Sequence, residues 1–416
     1  MAVSTWLGVR IAVAPSAAAA ALAFVLGGVA LGVVSGLVPG LHANNMALLL
    51  AAGATSVPGP PRLIGAAMLA AGTVHTFLDI VPALSLGVPD PAMAATALPG
   101  HELVLAGRGR EALRLSALGV GLAVALAVPL AIPVTEAVTA LYPTIRAHLS
   151  AVLAAVAVGL VTTEGTYRAK VGAGIALAAS GVLGHLTLDL PTDGLVGAGG
   201  TLAPLFAGVF GAPVLIEALG GSGVPPQDDA TLALSKSAVG GLSAAGTLSG
   251  AVVGFIPGVS SAIAATGALL AVPYRFGARG FVVITSGVNT ANTIFALLAL
   301  RALGSPRTGV LVALEESGAP LAFPLLLASV ALASAVGFVL VPTVGDRYLS
   351  LVGSVAYGKL SVVVLALLAV LSLVLAGPIG IAIFVAATLV GLIPPRFGAR
   401  RATLMGVLLV PLIAGG

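Results

Sequence analysis

Long stretches without a single charged residue limit what this chain can become. None occurs between Arg10 and Arg62, nor over Leu115 to Thr135, Val171 to Leu188, Gly194 to Ile216, Ser237 to Tyr274, Gly280 to Leu300, Ser317 to Gly345 or Leu360 to Pro395. A spanning helix needs about 20 apolar residues, so the runs hold about ten to twelve membrane segments. Only 8% of the residues are charged and 59% are hydrophobic, against about 25% charged in a soluble domain. Charges this sparse cannot cover a water-facing surface, and most of this one must face lipid. The expectation is an all-α, multi-pass protein of the cell (plasma) membrane. The apolar run from Ala17 to Val38 reads as its first span, because no small-residue cleavage site closes a short core.

The remaining composition narrows the chemistry. Cysteine is absent, so no disulfide framework, thiol chemistry or thiolate metal site is expected. The net charge of +4 reflects loop lysines and arginines that report topology, with no nucleic-acid partner implied. The chain contains no Walker loop, His-Glu-x-x-His, Gly-x-Ser-x-Gly or carboxylate pair at catalytic spacing. The reading is of a protein that is not an enzyme, needs no cofactor and has no ATP drive of its own.

Two of the charge-free runs are too long for one helix, and each carries a Pro-Gly pair near its middle. The first reads Gly28-x3-Gly32-x3-Gly36-Leu37-Val38-Pro39-Gly40-Leu41 and the second Gly246-x3-Gly250-x3-Gly254-Phe255-Ile256-Pro257-Gly258-Val259, at a constant offset of 218. With 55 glycines in 416 residues, one or two coincidences would mean little, but a whole series at one offset points to duplication. Downstream, Val74-His75-Thr76-Phe77 lies opposite Ala291-Asn292-Thr293-Ile294, and Leu86-Gly87-Val88-Pro89 opposite Leu303-Gly304-Ser305-Pro306, now 217 apart. The expected organisation is a first membrane repeat over residues 1–216, a linker over 217–236 and a second repeat over 237–416. Arg108, Arg110 and Arg114 follow Pro89 whereas Glu315 and Glu316 follow Pro306. The positive-inside bias therefore favours inverted repeats, a device common in secondary transporters.

Proline inside a helix removes a backbone hydrogen bond and clashes with the preceding turn, and glycine beside it tolerates conformations closed to other residues. Each pair should therefore end one helix within the bilayer and let another begin, which is tolerated only where protein or a wet cavity receives the free backbone. The restarting helix offers unpaired N–H groups and a partial positive charge suited to an oxyanion. Small polar side chains follow each break. The candidate anion-binding residues are thus Pro39, Gly40, His42, Asn44 and Asn45 in one half and Pro257, Gly258, Ser260 and Ser261 in the other. The glycines upstream of each break read as helix-packing positions.

Asn289, Thr290, Asn292 and Thr293 form a second polar cluster, whose hard oxygen ligands suit substrate oxygens or Na+, the one metal ion considered. His75 and Asp79, four residues apart on one helix face, are the best intramembrane ionisable pair. They read equally as a proton relay or as a paired polar spot between helices. Together these residues are the candidates for coupling to Na+ or H+. Glu164, with Tyr167, Arg168 and Lys170, reads as a solvated turn.

The same motifs resemble the large membrane subunit, TctA, of tripartite tricarboxylate transporters. Gly36 to Leu41 is similar to the family's first Pro-Gly motif, and Gly254 to Val259 to its second. Gly87-Val88-Pro89-Asp90-Pro91, Ala95-Thr96-Ala97-Leu98-Pro99-Gly100-His101 and Gly107 to Leu113 resemble its Pro-Gly, Ala-Thr-Ala-Leu-Asp-Gly-Tyr and Gly-Arg-x-x-x-Ala-Leu run. Asn289 to Phe295 is similar to its Asn-Asn-containing motif. Asp90-Pro91 and Pro99 depart from the pattern, and Gly391 to Gly398 with Met405 to Leu408 resembles a shorter archaeal branch. The resemblance implies an ion-coupled secondary carrier for a small organic anion such as a di- or tricarboxylate. It also implies help from a small membrane subunit and an extracytoplasmic binding protein, and a homodimer is allowed. The alternatives are a translocase for a lipid-linked phosphate and a non-transporting scaffold subunit of a membrane complex.

Overall fold

The computed structural model describes residues 2–6, 9–41, 43, 46–47, 50, 53, 56–88, 97–195, 200–219, 223–256, 259, 261–271 and 276–415. Strands β1 (Ala2–Trp6) and β2 (Val9–Val13) pair antiparallel, with Val3 opposite Ala12 and Thr5 opposite Arg10. This short hairpin precedes an otherwise helical body, in a segment where β-branched residues are dense and strand-forming. Every other regular element among the described residues is helical. These are α1 (Pro15–Gly36), α2 (Pro61–Leu78), α3 (Ile80–Leu86), α4 (Ala97–Leu105), α5 (Gly109–Ala147), α6 (Leu149–Thr162), α7 (Tyr167–Thr187) and α8 (Leu202–Ala218), the last with a π-helical turn over Ala207–Gly211. In the second half follow α9 (Lys236–Val253), α10 (Ser261–Ala271), α11 (Gly277–Leu303), α12 (Gly309–Glu316), α13 (Phe323–Ser354), α14 (Tyr357–Gly391) and α15 (Ile393–Phe397). A 3-10 turn over Arg401–Met405 leads into α16 (Gly406–Ala414).

Seven of these segments are long and apolar enough to cross a membrane: α1, α2 with α3, α5, α7, α11, α13 and α14 with α15. The shorter apolar helices are α6, α8 and Arg401–Ala414. The protein is a multi-pass membrane protein. Local chemistry sets many boundaries. Pro15 and Pro61 open their helices, where the missing N–H costs nothing. Thr166 and Ser235 cap α7 and α9 by accepting from the N–H groups of Ala169 and Ala238.

Burial divides the long helices into two classes. The most apolar window of Pro61–Leu86 and that of Gly277–Leu303 are each 89% buried, whereas the other five are 22–39% buried. Two helices therefore run through the middle of the body and the rest present one side to lipid. These central helices carry His75, Asp79 and the Asn289 to Thr293 cluster.

Glycine packing fixes how each central helix meets its outer neighbour. A methyl placed on Gly28, Gly32 or Gly36 of α1 would collide with the carbonyl of Ala67, Ala71 or His75 on α2. A methyl on Gly246, Gly250 or Gly254 would collide with the carbonyl of Ile284, Val288 or Asn292 on α11. The second set is the first displaced by 218 residues on the outer helix and 217 on the inner one, matching the two offsets read in the sequence. Lipid tails compete for any apolar side chain, so direct backbone contact is what draws such helices together. Gly28→Ala is expected to lower the stability of the detergent-purified protein by about 3 kcal/mol, because the backbones would have to separate. A methyl on neighbouring Gly27 meets nothing within 4 Å. Gly27→Ala should therefore be neutral or gain up to about 1 kcal/mol of helix propensity, a difference that melting curves of the two variants would resolve.

The pairings rise together along both helices, so α1 and α2 run parallel, as do α9 and α11. Helix α10 lies in the chain between α9 and α11. From His75 to Leu86, and from Asn292 to Leu303, the inner helix continues for about 16 Å beyond the point where its outer partner ends. That length is about half of a 30 Å hydrocarbon core. Both inner segments then stop at a left-handed glycine, Gly87 (φ 68°) and Gly304 (φ 65°).

The buried apolar side chains form two main cores, and each draws on both halves of the sequence. Val29, Phe77, Leu113, Ala251, Phe295 and Val341 belong to the larger. Leu160, Ala176, Phe210, Ile263, Ala387 and Leu409 belong to the smaller. Helix α14 passes between them, with Leu368 in the first and Ile383 in the second. It breaks on the way at Gly377 (φ 69°, ψ −161°), followed by Pro378.

Candidate functional site

The first Pro-Gly pair does end a helix. Helix α1 stops at Gly36, a turn follows, and Gly40 adopts φ 76°, the left-handed region where a side chain is strained. A methyl at Gly40 would also meet Leu368 of α14 at 2.6 Å. In the second half α9 ends at Val253 and α10 opens at Ser261, on either side of the second pair. Pro257, Gly258 and Ser260, like His42, Asn44 and Asn45, lie outside the described residues.

Polar side chains that are far apart in sequence meet beside these ends. Asn289 of α11 donates through Nδ2 to Asp79 Oδ2 at 3.0 Å and to the Thr76 carbonyl at 3.2 Å. Its Oδ1 accepts from Ser261 Oγ, the first residue of α10, at 3.1 Å. One buried amide therefore joins the inner helix of the first half, the inner helix of the second and the restarting helix after the second break. Asp79 is 2% exposed and Asn289 3%, so the contact is shielded from lipid and from bulk water. Buried polar groups are costly without partners, and here each group supplies the other's. Thr293 Oγ1 donates back to the Asn289 carbonyl at 3.2 Å, whereas the buried Thr290 Oγ1 makes no hydrogen bond among the described residues. Asn292 is half-buried, with its backbone pressed against Gly250 and Gly254.

His75 sits one turn before Asp79 and is fully buried. Its Nδ1 lies 2.9 Å from Ser35 Oγ, and that hydroxyl donates to the Gly32 carbonyl. His75 thus links α2 to the last turn of α1, just ahead of the first break. The two halves are not equivalent in charge. At the 217 offset Asp79 corresponds to Ala296, and Asn289 to Gly72. The carboxylate exists once, and its amide partner comes from the other half.

The motif match is as extensive as the packing. Residues 22–406 match the tripartite tricarboxylate transporter TctA family. The chain belongs to the TctA family. It is also similar to the uncharacterized protein MJ1079 of Methanocaldococcus jannaschii, at 25% identity over 363 residues that cover 85% of this chain and 87% of that protein. No solved structure matches it. TctA proteins are components of membrane transporters, and the polar cluster lies on the helices of this one that are most withdrawn from lipid.

Several charged groups of this TctA chain are placed where its sequence gives no sign of them. The Glu111 side chain is fully buried; its Oε1 accepts from Arg279 Nε at 2.9 Å and from the Ala233 N–H at 2.8 Å, and its Oε2 from Arg108 at 2.9 Å. Arg114 grips Asp346 with both terminal nitrogens, at 2.5 and 2.6 Å. The segment after α8 is strapped to the α4–α5 turn: Gln227 Oε1 accepts from the Gly109 N–H at 2.7 Å, and the Asp228 N–H donates to the Gly107 carbonyl at 2.8 Å. Glu164 corrects its reading as part of a solvated turn. It is 7% exposed and accepts from the N–H and the Nε of Arg400, both at 3.0 Å. Its partner lies 236 residues away, beyond the reach of any local pattern.

His101, at the end of the Ala95 to His101 motif, is 5% exposed and donates from Nδ1 to the Leu84 carbonyl at 2.6 Å. Burial pushes its imidazole below the ordinary histidine range. The Leu84 bond opposes that drop and the nearby Arg401 charge adds to it. Two apolar crevices open elsewhere. One of 350 Å3 lies between α1 and α2 by Phe24, Ile64 and Met68, and one of 480 Å3 between α5 and α13 by Leu118, Ser334 and Phe338. Neither is lined by the Asp79–Asn289 cluster.

Proposed function

We propose that this protein is a secondary active carrier that moves a small organic anion, a di- or tricarboxylate, using a Na+ or H+ gradient. The observation that carries the reading is the Ser261–Asn289–Asp79 chain, which joins polar groups of both halves on the helices most withdrawn from lipid. Membership of a tripartite tricarboxylate transporter family supports the substrate class. In this reading the free N–H groups after Pro39-Gly40 and Pro257-Gly258 receive carboxylate oxygens, helped by His42, Asn44, Asn45, Ser260 and Ser261. Asn289, Thr290, Asn292 and Thr293 supply oxygens to the coupling cation, and Asp79 with His75 supplies charge or a proton. The halves 1–216 and 237–416 are duplicated and inverted, with 217–236 between them. Alternating access comes from motion of one apolar core against the other, since the Ser261–Asn289 bond joins α10 to the larger core. A small membrane subunit and an extracytoplasmic binding protein complete the transporter.

The test is uptake of labelled citrate by proteoliposomes of the purified chain under Na+ or pH gradients. Gradient-dependent uptake is expected, and Pro39→Ala or Asn292→Ala should impair it while the protein still inserts. Wild-type uptake by the double variant would remove the site assignment. Passage of phospholipid-like phosphates alone would favour a translocase, and no transport of any solute would leave a scaffold role.

A further inference from the structure

One end of the smaller core is built from two turns that are far apart in sequence. Helix α7 opens there with Tyr167, Arg168 and Lys170 after the Thr166 cap, and α15 closes there with Arg396 and Phe397. The two are in direct contact. Arg168 Nη2 donates to the Arg396 carbonyl at 2.7 Å, and a methyl on Gly172 would collide with Phe397. Lys170 is the last charge before the charge-free run from Val171 to Leu188, so the cluster lies at the edge of the hydrocarbon, level with lipid headgroups. Its charges do not cancel. Glu164 is taken by Arg400 at 3.0 Å and Glu217 by Arg401 at 2.5 Å, whereas Arg168, Lys170 and Arg396 enter no ion pair among the described residues. These three are exposed, and Tyr167 beside them is 84% exposed.

Beyond the cluster the same face of α7 is apolar and open. Val171, Ile175, Val182 and Leu186 are 39–64% exposed, and with Tyr167 they fall within an arc of about 100° on a helix of about 3.6 residues per turn. Gly174 and Ala178 keep that face low: Ala178 is exposed, and a methyl on Gly174 would meet nothing within 4 Å. One leaflet is about half of a 30 Å hydrocarbon core, a depth that at about 1.5 Å per residue takes in Val171 to Val182.

We propose that this end of α7 is a binding site for an anionic phospholipid, whose phosphate sits among Arg168, Lys170 and Arg396 and whose acyl chain lies on the face from Val171 to Val182. Each cation near the surface adds to the attraction for an anionic headgroup, and Tyr167 brings an apolar ring and a polar tip to the same level. A soluble anion would use the cations alone, and the exposed apolar face that continues from them favours the lipid. The inference goes beyond the carrier reading and does not rest on it.

Native mass spectrometry of the purified full chain, titrated with phosphatidylglycerol and with phosphatidylcholine of the same chains, measures the preference. Wild type is expected to favour phosphatidylglycerol. Combining Arg168→Gln, Lys170→Gln and Arg396→Gln should lower that preference about a hundredfold, and each alone about fivefold. A control triple at exposed arginines elsewhere, Arg62→Gln, Arg301→Gln and Arg347→Gln, removes the same charge and should leave the preference unchanged. Equal loss in the two triples, or no preference in wild type, overturns the proposal. Should the first triple not fold, the single variants carry the test. Arg168→Lys keeps the charge with a different hydrogen-bonding geometry and should retain the preference; a loss as large as that of Arg168→Gln would mean that Arg168 only pins α15 to α7, and overturns the proposal. Gly174→Leu fills the low face without touching charge and should weaken phosphatidylglycerol binding severalfold. Displacement of phosphatidylglycerol by inorganic phosphate, with Gly174→Leu unchanged, would leave a soluble-anion site and overturn the lipid assignment.

Discussion

Proteoliposomes carrying Asp79→Asn are expected to accumulate labelled carboxylate under an ion gradient at about a hundredth of the wild-type rate, the loss expected when a charge that contributes about 3 kcal/mol to the driven step is removed. The size follows from the setting. Asp79 is a carboxylate on a central helix, 2% exposed, with the Asn289 amide on its Oδ2. Asparagine has the same shape and can turn its own oxygen toward Asn289 Nδ2, so the helix pair should assemble and the melting point should hold. What is lost is the ionisable group of the Ser261–Asn289–Asp79 chain. If the coupling role is correct, gradient-driven uptake falls far more than exchange of labelled for unlabelled cargo, because exchange needs no net ion movement. Unchanged gradient-driven uptake by Asp79→Asn would reduce the pair to interhelical glue of the kind common in membrane bundles.

Glu111→Ala should produce the largest loss of stability of any single side-chain truncation discussed, about 3 kcal/mol. Glu111 is the common acceptor for Arg108 on its own turn, Arg279 at the start of α11 and the N–H of Ala233 ahead of α9. Truncation leaves two guanidinium groups facing each other and a backbone donor unfilled. The arginine side chains are about 30% exposed, so water relieves part of the repulsion, and the lower end of the usual cost applies. Thermal unfolding of the detergent-purified variant measures this directly. A melting point within a degree or two of wild type would mean that the strap after α8 and the α5–α11 contact, including the Ser116–Ser286 hydroxyl pair at 2.9 Å, hold without it. Arg279→Ala provides a comparison, since it removes one donor and leaves the carboxylate bound to Arg108 and Ala233.

Much of this architecture was legible before any coordinate was considered, for a reason specific to lipid. A helix facing hydrocarbon tolerates few charges, so the charge-free runs mark most of the spans, whereas the buried Pro61–Leu86 span carries Asp79 and is not among them. The amino-terminal hairpin went unread because its strands are short and are followed at once by a long apolar run that dominates the signal. The break of α14 at Gly377-Pro378 was equally present in the sequence, as a Gly-Pro pair in the run from Leu360 to Pro395. Attention to repeated pairs passed it over because it has no partner at the repeat offset.

The glycine series around Gly36 and Gly254 foretold helix packing, and the partners of the two series recur at 217 residues, close to the 218 that separates the glycines themselves. Contacts between the halves have no such regularity. Asp79 meets Asn289 across 210 residues and Glu164 meets Arg400 across 236, and neither pair falls at the repeat offset or within a helical turn. The membrane-spanning character and the first Pro-Gly break were thus legible in the sequence, because each depends on the medium or on near neighbours along the chain. Which polar groups share a buried hydrogen bond was decided only when two apolar cores drawn from both halves packed together. Desolvation acts on whatever lies adjacent in space, and adjacency of that kind is not written at any fixed spacing.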